Sequence, residues 1–213
     1  MTTALDKGAS IDDASAAFRD RLIDGLGASI GERGYRDTTV ADIVRHARTS
    51  KRTFYECFPD KESAFVELIR EDSVGLLAAV EAIVETDAPW QERIERAVDT
   101  YLQALSDDPV LVAAISRELP ALGERGTALH REAIDRFAEL FLRASREPWV
   151  RDAGIEPVTR DTAVMLVGGI AELIARATTE DRPLTDLGPT VKAVIMAVAS
   201  SSSASPASAR PRS

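Results

Sequence analysis

Apolar positions along the chain recur at helical rather than strand spacing. From Ala14 onward, Phe18, Leu22, Leu26 and Ile30 return every four residues, which is one face of a helix. That helix is expected to stop near Gly34, a residue suited to the left-handed position just past a helix end. A second, short helix is predicted after Thr39. Thr39 is an N-cap, Asp42 stands three residues on as in a capping box, and Val40, Ile43, Val44 and Ala47 form the inward stripe. Ser50 caps a third helix, in which Phe54 and Phe58 are i, i+4 neighbours and which Pro59 ends. Three short helices within about forty-five residues, the last two joined by a tight turn, read as a helix-turn-helix.

Beyond Pro59 the helical pattern continues. Asp60 caps a long stripe through Phe65, Leu68, Ile69, Leu76, Leu77, Val80 and Ile83. Further stripes follow at Ile94, Val98, Tyr101, Leu102 and Leu105, and at Leu129, Ala133, Phe137, Leu140, Phe141 and Ala144. Glu132, Arg136, Glu139 and Arg143 are expected to ladder the solvated face of the latter. Breaks fall at Pro89, Pro109, Pro120, Gly123 to Gly126, Pro148, Gly154 to Pro157, Pro183 and Pro189. No period-2 strand pattern occurs, so the chain reads as all-α with about nine helices. The expected organisation is a disordered N-terminus over 1–13, a three-helix unit over 14–60, a larger helical domain over 61–199 and a low-complexity, disordered tail over 200–213.

The last two helices differ from the rest. Residues 163–175 and 191–199 are apolar nearly all round, broken by Glu172 and Lys192. A helix apolar on every face must be buried on more than one side. At the end of a chain this size, the expected cover is a second copy, through residues 160–199, with Gly168-Gly169 admitting a close helix. Burial as central helices of a monomer is the alternative.

Charge adds a contrast. The 213 residues carry 26 Lys/Arg and 35 Asp/Glu, a formal net charge of −9. Residues 1–58 hold nine of each and are neutral; the acid lies wholly beyond them. Between Arg45 and Arg52 there are four cations, one histidine and no acid. An acidic whole argues against nucleic acid only if the acid sits at the contact, because affinity comes from neutralising phosphates. The single cysteine, Cys57, excludes an internal disulfide framework and fits a reducing cytoplasm. No signal-peptide pattern opens the chain, and no uninterrupted apolar run approaches the ~20 residues of a spanning helix. The expectation is a cytoplasmic protein without a membrane partner.

Catalytic machinery is not visible. Gly27-Ala-Ser-Ile-Gly31 matches a nucleophile elbow, but Ser29 falls inside the Phe18–Ile30 helical stripe, whereas an elbow needs a strand before it. Two histidines (His46 and His130) and one cysteine offer no metal-ligand spacing, and no phosphate-cradling glycine loop is present. Neither an enzyme nor a cofactor is expected. The helix-turn-helix does offer chemistry, because its second helix enters the major groove with its N-terminal residues facing base edges. Ser50, Lys51, Arg52 and Thr53 are those residues, and inward Phe54 and Phe58 turn Tyr55 outward. Thr39 can offer a hydroxyl and helix-end amides to a phosphate, and Lys61 can reach the same backbone.

These residues carry a resemblance. Over about fifty positions, and most clearly in Gly34-Tyr-x-x-Thr-Thr-Val-x-Asp-Ile43, Ser50-Lys-x-Thr-Phe-Tyr-x-x-Phe58 and Asp60-Lys-Glu62, the sequence resembles the TetR family of bacterial transcriptional regulators. The resemblance implies an N-terminal DNA-binding domain and a helical domain that dimerises through its last two helices and encloses a small-molecule effector pocket. It carries DNA-contact roles onto Thr39, Ser50, Lys51, Arg52, Thr53, Tyr55 and Lys61. It also implies a homodimeric repressor on a palindromic double-stranded operator. Tyr101, Phe137, Phe141 and Met165 are the expected pocket lining. The alternative is a helical enzyme or carrier whose DNA contact is dispensable, and retention of a two-fold-symmetric duplex would decide between them. Two positions depart from the family. Arg48-Thr49 stand where Gly-Val is common, so Arg48 either strains the turn or adds a phosphate contact. Cys57 stands where a phosphate-contacting histidine is common.

Overall fold

The computed structural model describes residues 5–201. Most of the tail expected to be disordered lies outside the described residues. Among them there are ten α-helices and no strand. These are α1 (Leu5–Asp37), α2 (Val40–His46), α3 (Lys51–Cys57), α4 (Lys61–Val84), α5 (Trp90–Asp107), α6 (Pro109–Glu118), α7 (Glu124–Ala144), α8 (Pro148–Asp152), α9 (Arg160–Thr179) and α10 (Gly188–Ser201), with 3-10 turns at Leu119–Leu122 and Leu184–Leu187. The helix beyond the expected count is α8. Pro148 starts it rather than breaking the chain, since proline lacks only an N–H that a first turn leaves unpaired anyway. The first helix begins at Leu5 rather than near Ala14, and Gly34 interrupts it at φ 78, ψ 163.

The chain folds into two compact units, and they are not the contiguous ones expected. The first runs to Val74 and takes back Asp108–Leu129; the second comprises Gly75–Asp107 and the chain from His130. The core of the first unit joins Leu22, Leu26 and Ile30 of α1 to Ile43, Phe54, Phe58 and Phe65, and it includes Leu111 and Ala114 of α6 and Leu129 of α7. Each of these side chains larger than alanine contributes ~1.5–3 kcal/mol by leaving water. Phe18 is the exception on the α1 stripe, 37% exposed, with the Arg21 guanidinium 5.5 Å from its ring centroid. At Gly25 α1 meets α2 so closely that a Cβ would lie 2.7 Å from the Ile43 carbonyl oxygen. Arg36 closes the unit's edge by donating to Glu118 at 2.8 Å.

In the second unit, Ala138 and Leu142 of α7 pack on Ala163 and Val167 of α9. Lys192 of α10 pairs with Asp99 of α5 at 2.6 Å. Only Glu132–Arg136 of the expected α7 ladder forms as an i, i+4 pair (2.5 Å). Arg143 reaches Glu81 of α4 at 2.5 Å instead, and Glu139 faces Arg160 at 3.8 Å. By length and composition α9 is apolar enough to cross a membrane, although charged residues interrupt its apolar run. It nonetheless buries Ala163, Leu166, Val167, Ile174 and Ala177 within the unit and carries an exposed Glu172–Arg176 pair.

Candidate nucleic-acid interface

Local side-chain chemistry shapes the α2–turn–α3 segment. Thr39 accepts from the Asp42 amide at 3.3 Å while the Asp42 carboxylate accepts from the Thr39 amide at 3.1 Å, a reciprocal capping box. The Thr39 hydroxyl, which donates to the same carboxylate at 2.6 Å, and then the Thr39 amide hold the Asp42 carboxyl below its usual range, with Arg33 assisting at 3.0 Å. Ser50 caps α3 by accepting from the Thr53 amide at 3.1 Å. Phe54 and Phe58 are buried at 0% and 2% exposure, and Tyr55 between them stands 58% exposed. Lys51 and Arg52 are exposed on the same helix start.

Arg48, in the turn, has φ 50, the left-handed region that side chains avoid. Two arginines of α1 staple the segment's carbonyl ends, which sequence reading missed. Arg21 donates to the carbonyls of Ala47 and Arg48, and Arg19 donates to that of Cys57 at 3.4 Å while lying 4.5 Å over the Phe58 ring. Cations near helix C-termini satisfy orphan carbonyls and oppose the negative end of the dipole. The signal was an arginine pair between the stripe positions Phe18 and Leu22, legible only once the helices are packed.

The four cations from Arg45 to Arg52 are not equivalent. Arg45 donates to Glu32 at 3.1 Å beside His46, and bonds from His46 and Arg45 hold the Glu32 carboxyl below its usual range. Arg52 donates to Glu56 at 2.9 Å. Among the described residues, Arg48 and Lys51 have no carboxylate partner. Lys61 lies differently from the expectation. It donates inward to the carbonyls of Tyr35 (2.8 Å) and Thr38 (2.7 Å), sits 4.2 Å over the Tyr35 ring, and has its pKa lowered by burial. One ammonium N–H is left for a phosphate. Cys57 is half-buried, and burial pushes its thiol pKa up, away from the reactive thiolate. Ser29 lies fully buried inside α1, donating to the Gly25 carbonyl at 2.7 Å, so it is no exposed nucleophile.

The residues from Leu22 to Leu68 match the family model described as bacterial regulatory proteins, tetR family. The chain belongs to the TetR family. This TetR-family chain is 31% identical over 135 residues to the HTH-type transcriptional repressor KstR2 of Rhodococcus jostii, covering 62% of this chain and 66% of that one. It spans about half to two thirds of the length of the curated relatives it matches. Its fold is that of a TetR-family transcriptional regulator from Mesorhizobium loti, with TM-score 0.70, 18% identity, and coverage of 88% of this chain and 97% of that one. It is likewise that of the regulator FadR from Bacillus subtilis in complex with stearoyl-CoA, with TM-score 0.64, 18% identity, and coverage of 84% and 97%.

The second unit of this TetR-family chain holds an apolar cavity of about 160 Å³. Tyr101, Phe137 and Phe141 line it, with Tyr101 edge-on to Phe137 at 5.4 Å between centroids. Burial pushes the Tyr101 phenol pKa up to about 12. Met165, expected in the same lining, faces outward and is 65% exposed. Helix α9 is apolar on both sides, so periodicity alone could not tell which side points in. Sequence reading also missed Trp90, Arg93 and Trp149, which line the cavity.

Proposed function

We propose that the protein is a homodimeric repressor, acting in the cytoplasm, that reads a pseudo-palindromic operator and releases it when a small molecule enters the cavity of the second unit. The observation that carries the reading is α3: a capped helix whose buried Phe54 and Phe58 leave Lys51, Arg52, Thr53 and Tyr55 at one accessible end. In this assignment Arg52 leaves Glu56 for a base edge, Lys51 and Arg48 meet phosphates, and Thr39, Ser50, Thr53 and Tyr55 add hydroxyl contacts. Lys61 mainly positions α4 against the end of α1, with its remaining donor toward the backbone.

The outward faces of α9 and α10 support the dimer. Met165 and Val194 are 65% and 47% exposed, and a Cβ built at Gly168 or Gly169 meets nothing within 4 Å. Two copies of α3 would then enter successive major grooves ~34 Å apart. Effector and operator must weaken each other by the same factor.

Incubating the full chain with random duplexes and sequencing those retained should recover a two-fold-symmetric motif. On that duplex, Arg52→Ala should lower discrimination at one base position ~10-fold or more. Retention without a shared motif would refute the regulator reading. A monomer at micromolar concentration in sedimentation would refute the dimer.

A further inference from the structure

Among the described residues, Arg93 is the one charged side chain lining the cavity, and it is 8% exposed. Its Nε donates to the Ala88 carbonyl at 2.5 Å and its Nη1 to the Val84 carbonyl at 3.0 Å. Its guanidinium carbon lies 4.5 Å from the Trp149 ring centroid. Among the described residues no carboxylate pairs with it. A guanidinium has five N–H donors, so the carbonyls leave most of its capacity unused. No buried side-chain nitrogen is sealed off without a partner, so its unbonded nitrogen keeps open surface. A buried cation without a counter-charge is costly, and the Val84 carbonyl at the end of α4 with the Ala88 carbonyl of the following loop offsets only part of that cost.

The rest of the lining is almost wholly apolar. Ala97 and Tyr101 continue the Arg93 face of α5 at i+4 and i+8, which places Tyr101 ~12 Å along the helix from Arg93. Phe137 closes on Tyr101 from α7. A volume of about 160 Å³ is close to that of an engineered cavity of about 150 Å³ that takes benzene. The space therefore suits one ring or a short chain. An apolar body beside one unpaired guanidinium is the complement of an amphipathic anion, and the planar fork of arginine matches a carboxylate bidentately.

We propose that the cavity binds a compact apolar carboxylic acid, its body between α5 and α7 and its carboxylate on Arg93. This rests on the effector-site reading above and names the ligand class. A purely structural Arg93, stapling the end of α4, would show no preference for an anion.

The chain's only two tryptophans, Trp90 and Trp149, both line the cavity, so binding is read by intrinsic fluorescence without DNA. The full-length protein is titrated with octanoate and 4-isopropylbenzoate, each against its methyl ester and primary amide, and with octanoyl-CoA. The acids should bind at least ~10-fold tighter than their neutral partners, as expected for a desolvated charge-assisted pair. Arg93→Met should erase that preference while leaving ester binding; Arg93→Lys should retain part of it. Equal affinity for acid and ester, a preference that survives Arg93→Met, or binding of octanoyl-CoA alone would overturn the assignment. The wild-type comparison decides even if the variants do not fold. If the acids bind but leave the selected duplex bound, the ligand assignment stands and the effector-release reading falls.

Discussion

Replacing Arg48 by glycine separates two effects that the native residue combines. Arg48 sits at φ 50, its carbonyl accepting from Arg21 at 3.0 Å while the next amide, Thr49, donates to the Val44 carbonyl at 2.9 Å. The turn is thus pinned from both sides, and a side chain there carries the ~1–2 kcal/mol cost of left-handed backbone. Glycine removes that cost but returns roughly 0.5–1 kcal/mol as extra freedom of the unfolded chain. The net expectation for Arg48→Gly is stabilisation by about 0.5–1 kcal/mol. For a chain of this size that raises the melting midpoint by roughly 1–4 °C. DNA binding should move the other way. If Arg48 neutralises a phosphate, its loss lowers the slope of log affinity against log salt by ~0.9 per protomer. Melting followed by circular dichroism and fluorescence anisotropy on the selected duplex across a salt series measure the two arms. Arg48→Asn, which tolerates the same backbone, should lose the salt-dependent term alone. A lowered melting midpoint for Arg48→Gly would refute the strain, and an unchanged salt slope would refute the phosphate contact.

Other consequences follow from the same geometry. Gly25→Ala places a methyl 2.7 Å from the Ile43 carbonyl oxygen and should destabilise the first unit by ~1–3 kcal/mol in denaturant titration, as overpacking does. Tyr101 has a folded-state pKa of about 12 against about 10 unfolded. Between those values the unfolded state has lost the proton that the folded state keeps, so stability is full below pH ~10 and declines toward pH ~12. Tyr101→Phe should flatten that decline by ~2–3 kcal/mol in alkaline unfolding curves, and an unaltered decline would count against the buried phenol. Glu56→Gln frees Arg52 and removes an acid from the proposed DNA-contacting end of α3, so duplexes of every sequence should bind roughly two- to fivefold tighter.

What the sequence made legible was local. The Thr39–Asp42 box, the Ser50 cap and the Phe54–Phe58 anchor each join residues three or four apart, so spacing alone identifies them. Arg48 could be flagged only through the resemblance, because the family commonly has glycine at that turn position. The illegible features are contacts between distant segments. Arg19 meets Cys57 across 38 residues and Arg21 meets Arg48 across 27, and nothing in either arginine's neighbourhood announces a carbonyl. Lys61 looked like a free cation at a helix start until Tyr35 and Thr38 took two of its donors. Met165 was placed by hydrophobicity on a helix whose pattern has no phase. Arg93 interrupts an apolar lining, so a search for apolar stripes passes over it.

The returning segment that completes the first unit has a consequence for synthesis. Helix α3 is finished by Cys57, yet the core beneath it includes Leu111, Ala114 and Leu129. At ~5–20 residues per second, translation delivers Leu129 roughly 4–14 s after α3 has been made. Through that interval the nascent chain displays capped helices over an apolar floor with no lid, a surface that chaperones recognise and DNA does not require. A fragment ending at residue 60, or even at 74, would be stranded in that state. The smallest coding segment that specifies the complete first unit is therefore not the one ending at residue 74, and recombination that swaps that unit for another would have to carry residues 108–129 along.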